Sequence, residues 1–485
     1  MVVLLMVTIH EEERKGRRHR LHNIPAGGGT PCRLLYTATD PLSRSGDFLD
    51  IVGPYVQSFL FLLSKGLCCM KAADNKKFSV VNRTRWGQVL LFLGAGIVAS
   101  FQVGKVPPVL PAIRGELGMS LFGAGWILSS FSIIGLFLGS MIGAVSDSFG
   151  HHRMLLLGLA GQAMGSLIGG FASVPALLLA TRTLEGLGCF MVAVAAPSLI
   201  MQMTQPKDLR LTLSIWSCWM PAGTAMIMLL TPVIMSLSGW RGLWLLNAAI
   251  LAGYALVSLW RSEPLATPPH KPRVSLIRLW NDIFVAAASL GPSLLAITFS
   301  TYTLLWMAVM GFLPTFLIED YGITAGKAAI LTGIIVSINV PGNLVGGWLL
   351  YKGYRRVRLI IVASVVMGLC SVAIYSAAIT FSVRYLACLL FSGVGGIMPA
   401  ALLSAVPVHA PRAELVATTN GLLIQGSQLG QVVGPPALAL IVSRLGGWQA
   451  APILLVSTAA LGIVLSLGLA ALERAKSFSD AVGYG

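Results

Sequence analysis

The sequence predicts an all-α membrane protein of twelve transmembrane helices arranged as two six-helix bundles. Three observations carry this expectation. The 485 residues are 55% hydrophobic and only 11% charged, with a mean hydropathy of +0.80, whereas soluble domains hold about a quarter charged residues. Apolar stretches of about 20 residues, the length that crosses roughly 30 Å of hydrocarbon, recur from residue 86 onward. A single long polar interruption, 261–289, has six such stretches before it and six after it.

Taken in order, residues 1–85 do not match the rest. They carry the charged run from Glu11 to Arg20, followed by Gly- and Pro-bearing sequence without a sustained period. Such composition buries little surface, and a disordered cytoplasmic extension is expected. Residues 51–69 are apolar, but Pro54, Gln57, Lys65 and Gly66 interrupt them, so they are not read as a thirteenth span. Translation from Met70 would remove this stretch altogether. Charges follow the opening apolar residues instead of preceding them, which is not the order of a secretory signal.

The N-terminal bundle, 86–260, holds spans at 87–112, 121–146, 154–172, 175–203, 211–236 and 242–260. The 261–289 linker contains Pro264, Pro268, Pro269 and Pro272 among basic residues, which predicts an extended, solvated cytoplasmic connection. The C-terminal bundle, 290–473, holds spans at 290–317, 326–350, 358–379, 382–408, 415–442 and 449–472, and a tail follows at 474–485.

The formal charge of +16 raises the question of nucleic acid, and its distribution answers it. With the first span starting in the cytoplasm, nineteen bases fall on the cytoplasmic side: five just before the first span, from Lys71 to Arg85, and the rest in the inner loops and tail. The outer side holds five, Arg114, Arg241, Lys327, Arg384 and Arg444. That bias is membrane orientation under the positive-inside rule, not a DNA-binding surface. It predicts a multi-pass protein of the plasma membrane (a bacterial inner membrane) with both termini cytoplasmic. The lipid bilayer is its expected partner, nucleic acid is not, and a monomer is expected.

The seven cysteines have neither zinc-finger nor CxxC spacing. No Gly-x-x-x-x-Gly-Lys-Ser/Thr loop is present, and the histidines form no His-x-x-x-His pair. No enzyme, cofactor or metal site is therefore expected.

One segment between the second and third spans repeats charge and glycine at tight spacing: Gly143, Asp147, Gly150 and Arg153. It resembles the Gly-x-x-x-Asp-x-x-Gly-plus-bases loop of the major facilitator superfamily. In that family the loop latches the two halves on the cytoplasmic side, so the resemblance implies a conformational latch here. Glycines would allow close packing and a tight turn, while Asp147 could cap a helix start or pair with a base. Two departures stand out: Ser148 follows the aspartate where a base is usual, and His151-His152 replaces a basic pair. A fainter echo, Gly347 to Arg356, occupies the matching place in the second half without the aspartate.

The fourth span opens with Arg182, Glu185, Gly186 and Gly188, which resembles the family's Arg-x-x-x-Gly-x-Gly signature. Charge inside a span is costly and turns to a polar cavity or to an opposite charge. Arg182 and Glu185, three apart, share a helix face. They either neutralise one another or handle substrate and protons. Lys105, within Gln102 to Pro108 of the first span, lies at about the same depth when counted at roughly 1.5 Å per residue. It either meets that pair across a cavity or snorkels to the outer surface. Pro107 and Pro108 break helical hydrogen bonding beside it, as happens where backbone lines a cavity. In the family fold the first and fourth helices both line the central cavity.

Further candidates are uncharged. The fifth span has Trp216, Trp219, Pro221 and Gly223, of which the tryptophans contact either substrate or packing partners. In the second half, Asn339 and Gln425 either form interhelical hydrogen bonds or line the substrate path. The stretches Glu185–Gly188, Pro221–Gly223 and Gly434–Pro436 look like the bacterial cyanate-permease and nitroimidazole-transporter branch. The resemblance implies a secondary active transporter of a small solute by alternating access, with protons as a candidate coupling ion. Lys105, Arg182 and Glu185 together leave one surplus positive charge, which favours an anion. A proton-coupled drug exporter with Glu185 as carrier is the alternative, and a transport-inactive receptor or scaffold is the alternative of another class.

Overall fold

A computed structural model describes residues 83–261 and 276–482, apart from a few side chains within them; of the extension expected at 1–85, residues 1–82 lie outside the described residues. The chain is a succession of helices: α1 (Trp86–Gly104), α2 (Val106–Leu117), α3 (Leu121–Phe149), α4 (His151–Gly170), α5 (Pro175–Gln202), α6 (Leu209–Ser217), α7 (Trp219–Arg261), α8 (Leu276–Ala288), α9 (Leu290–Tyr321), α10 (Ala325–Tyr351), α11 (Arg356–Tyr375), α12 (Phe381–Gly395), α13 (Ile397–His409), α14 (Val416–Arg444) and α15 (Ala451–Val482).

Among the described residues, nine helical segments are long and apolar enough to cross a membrane, with α1–α2 and α12–α13 each counting as one. One of the nine, α7, is two crossings: Gly239, at φ 65°, reverses the chain in a single residue. The other two crossings are α4 and α14, whose polar residues dilute their apolarity. α4 opens on His151, His152 and Arg153, and α14 carries Gln425, Gln428 and Gln431. Twelve crossings result, six before α8 and six from α9 onward.

Two local expectations need correction. The Gly143–Arg153 segment is not an open loop. α3 continues to Phe149, so Gly143 and Asp147 lie on its last turns and Asp147 is not at a helix start. Gly150 alone makes the turn, at φ 101°, a conformation that costs other residues a clash at Cβ. Gly353, at φ 86°, makes the corresponding turn between α10 and α11. Of the linker, residues 262–275 lie outside the described residues; beyond them the chain is not extended but forms α8, past the last proline at Pro272, where apolar and polar residues alternate at helical spacing.

The two bundles meet along the antiparallel pair α3 and α14 and also along α7 and α10, where Met228 and Leu229 pack over Gly333. Small residues on α3 face amides and prolines on α14. Gly125 lies under Pro435–Pro436, Ser132 donates to Gln431 Oε1 at 3.1 Å, Gly135 lies under Gln428, and Gly139 lies under Gln425. At the end of the molecule away from α8, the bundles also close on one another. Arg114 donates to Glu319 at 2.6 Å, Trp448 Nε1 donates to the other Glu319 oxygen at 3.0 Å, and Leu128 packs on Gly311. Beside this closure, Glu116 accepts from Trp240 Nε1 at 2.5 Å and pairs with Arg241.

Candidate functional site

A charged cluster occupies the centre of the N-terminal bundle. The first span is interrupted where α1 stops at Gly104 and α2 restarts at Val106, with Pro107 and Pro108 on its first turn. Prolines are tolerated there because first-turn N–H groups have no helical acceptor. Lys105 is the residue at that seam. Gly104 brings the seam against the backbone of Thr224 on α7, where a Cβ would not fit.

From this seam Lys105 Nζ donates to Glu185 Oε1 at 2.7 Å and to Ser166 Oγ at 2.7 Å, and lies 4.2 Å from the centre of the Trp244 ring. Arg182 Nη1 donates to Glu185 Oε2 at 2.5 Å and to the Gln102 carbonyl at 2.9 Å. Its Nε donates to the Ile127 carbonyl at 3.3 Å, and the guanidinium sits 4.8 Å from the Phe131 ring centre. The Ser166 hydroxyl accepts from Lys105 and from Gln102 Nε2 at 2.9 Å, and donates its proton to Glu185 at 2.8 Å. Lys105 and Glu185 are 0% exposed and Arg182 is 1%.

The glycines of the fourth-span signature explain how this cluster can be so tight. A Cβ at Gly186 would collide with the carbonyl of Phe131 on α3, and one at Gly188 with the carbonyl of Gly158 on α4. Both glycines let α5 approach its neighbours backbone to backbone, which carries Glu185 within reach of Ser166 and Lys105. Each charge is thus hydrogen-bonded, the condition under which buried ions are tolerated. Two cations face one carboxylate, so the cluster holds a surplus of one positive charge with Lys105 protonated.

Depth counting along the sequence brings Lys105, Arg182 and Glu185 together, and the structure does the same, with the candidate Gln102 joining them through Ser166 and Arg182. The direction differs from that expected of a cavity between the bundles. Ser166 and Trp244, on α4 and α7, draw the lysine into its own bundle, and at 0% exposure it does not snorkel. Ser166, Trp244 and Phe131 were not singled out by sequence, where an uncharged residue in an apolar run gives no signal.

The remaining candidates lie elsewhere. Trp216 stacks on Trp219 at 5.2 Å between ring centres and packs over Gly96 of α1. Asn339 donates to the Ser392 carbonyl at 3.0 Å and lies 3.5 Å from the Tyr302 hydroxyl, while its own Oδ1 accepts from Asn343 at 2.8 Å. That makes an amide–phenol cluster inside the C-terminal bundle. Gln425 donates across the bundle boundary to the Leu136 carbonyl at 3.2 Å. Arg153 is exposed on the first turn of α4, and the Asp147 side chain lies outside the described residues.

Two six-span bundles joined by a linker, with an ion cluster buried in one of them, define a polytopic transport protein. The sequence matches the Major Facilitator Superfamily over residues 91–423, and the chain belongs to that superfamily of transporters. It is similar to the gallate transporter of Pseudomonas putida, at 23% identity over 380 residues covering 70% of this chain and 82% of the relative. It is also similar to a cephamycin export protein of Amycolatopsis lactamdurans, at 31% over 191 residues, 38% of this chain and 37% of the relative. The puromycin resistance protein of Streptomyces alboniger matches at 28% over 169 residues, 34% and 33%. The chain thus spans only about a third of the length of these two antibiotic-related proteins. Among solved structures, the fold resembles an inward-facing bacterial homologue of the human lysosomal transporter Spinster. The TM-score is 0.66 at 16% identity, covering 81% of this chain and 97% of that one. The resemblance to the cyanate-permease and nitroimidazole-transporter branch finds no support in these relatives.

Proposed function

We propose that the chain is a secondary active transporter of a small organic anion. It works in a bacterial inner membrane with both termini cytoplasmic, by rocking one bundle against the other. The observation that carries this reading is the pair of bases, Lys105 and Arg182, that share the single carboxylate of Glu185 inside the N-terminal bundle, one base more than that carboxylate balances when both are protonated. Lys105 is engaged by Ser166, Glu185 and the Trp244 ring, so it acts on a solute through its field and not by direct contact. At one helix width, roughly 10 Å, and an effective dielectric of about 20, a unit charge favours an anion by about 1.5 kcal/mol. That is about tenfold in affinity. The similarity to a gallate transporter over most of both chains supports the same reading, since gallate is a carboxylate.

A second reading is favoured by the position of Glu185 between two bases. Protonating it would release Lys105 and Arg182 together, the step a proton-coupled drug exporter needs, and the similarity to antibiotic-resistance proteins supports it. Uptake into proteoliposomes separates the two. Small aromatic carboxylates should be transported in preference to their neutral amides, with a proton gradient raising the rate. Equal transport of both solutes would reject the anion reading, and exclusive movement of bulky cationic compounds would establish the second.

A further inference from the structure

α8 is a described helix that is not itself a crossing and that the proposed transport cycle leaves without a role. Its 13 residues extend about 20 Å, too short for a 30 Å hydrocarbon core, and Arg278, Asn281 and Asp282 make a crossing costlier still. It nevertheless presents an apolar face that the described residues leave exposed. Trp280 is 56% exposed and Phe284 72%, four residues apart on one side, with Ala287 and Ala288 exposed one turn on. The other side is the one that packs: Ala286 is fully buried, Ile283 and Val285 are half-buried, and the helix contacts α14 and α9.

Its placement fixes what can meet that face. α8 ends at an elbow clamped by hydrogen bonds. The Ser289 hydroxyl donates to the Val285 carbonyl at 2.7 Å, and the Ser293 hydroxyl donates to the Ala287 carbonyl at 2.6 Å. The next helix, α9, begins at once as a membrane crossing with Leu290 61% exposed. The uncovered face therefore starts where the bilayer starts. By sequence, the chain between the bundles is basic: Arg261, Lys271, Arg273 and Arg278 against Glu263 and Asp282. An exposed aromatic face, flanking bases and a length below a crossing are the features of a helix lying in the headgroup layer.

We propose that α8 is a membrane-surface anchor whose Trp280–Phe284 face enters the cytoplasmic leaflet and whose flanking bases make it selective for anionic phospholipid. The proposal rests on the cytoplasmic placement of the linker given above, not on the identity of the solute. Because α8 is clamped to α9, its docking to lipid bears directly on the tilt of the C-terminal bundle. The cytoplasmic leaflet is the negatively charged one, which gives the contact its charge complementarity.

The test uses the full chain in vesicles of neutral phosphatidylcholine, with or without phosphatidylglycerol. A nitroxide at Phe284→Cys, with the native cysteines replaced, should be relaxed more by oxygen than by a water-soluble nickel chelate. A nitroxide at Tyr354→Cys in the α10–α11 turn should show the reverse. Transport should rise with phosphatidylglycerol, and Trp280→Ser with Phe284→Ser should raise the content needed for half-maximal rate by about threefold or more. A chelate-accessible nitroxide at 284 would overturn the anchor, and equal transport in both vesicles would overturn the lipid selectivity. Reaction of His270→Cys with an impermeant thiol reagent in intact cells would instead remove the orientation on which the proposal stands, whatever the vesicle results.

Discussion

Replacing Glu185 by glutamine is the sharpest perturbation of the charged cluster. The change keeps the size of the side chain and removes only its charge. In the wild type the carboxylate accepts from Lys105 at 2.7 Å and from Arg182 at 2.5 Å, with all three groups sealed from the surroundings. The amide would leave two cations in one apolar enclosure without an anion. Removing one partner of a buried ion pair costs about 3–5 kcal/mol. For a bundle of this size that corresponds to roughly 10 °C in apparent melting temperature, taking about 2–4 °C per kcal/mol. Melting of the detergent-solubilised protein, followed by loss of the monodisperse size-exclusion peak, reads this directly. Adding Lys105→Met should recover about half of the loss, because the double variant returns to a single buried cation, now unpaired. A Glu185→Gln protein that melts with the wild type would refute the premise that the carboxylate balances the two bases. No gain from the second substitution would refute the assignment of Lys105 as its partner.

Other outcomes test neighbouring links. Lys105→Met alone removes the surplus charge and keeps the Arg182–Glu185 pair, so KM for small carboxylates should rise about tenfold, with neutral-solute transport unchanged. Gly186→Ala should abolish accumulation of folded protein, because its Cβ meets the Phe131 carbonyl, whereas Gly161→Ala, with open space around it, should accumulate normally. Arg114→Ala should barely change melting, since its partly exposed bridge to Glu319 contributes at most about 1 kcal/mol. It should nonetheless raise the rate at which a cysteine at Leu128 reacts with an impermeant reagent added from outside, by up to about fivefold.

How much of this was legible in the sequence depended on which coordinate a residue pattern fixes. Most helix ends fall within a few residues of the expected span ends, because hydropathy reports position along the membrane normal, although the last helix runs on to Val482, past the expected end at 472. Lys105, Arg182 and Glu185 were placed at one depth by the same counting. Depth does not give azimuth, however, and nothing in an apolar run says toward which neighbour the seam at Lys105 turns. Ser166 and Trp244 settle that, and a serine beside glycine or a tryptophan near a span end has many other uses. The helical end of α3 was misread because Gly143 suggested a turn, yet a glycine inside an otherwise apolar helix is simply carried along by its neighbours. α8 was hidden by the prolines before it, whose influence on backbone geometry ends within a residue or two.

The contact between α3 and α14 has its own consequence for how the bundles, which also meet through α7 and α10, are joined. Bulky side chains interlocked across it would hold each bundle in a fixed register, and any displacement would open voids. Instead, amides on α14 rest on glycine and serine of α3, with Pro435–Pro436 against Gly125 at one end. An amide carries both donor and acceptor, so a glutamine displaced along this track can trade one hydrogen-bond partner for the next carbonyl or hydroxyl at little net cost. Under the proposed rocking, this contact would act as a journal bearing, guiding rotation with little friction, and Pro435–Pro436, which have no N–H to trade, would be its stiff collar.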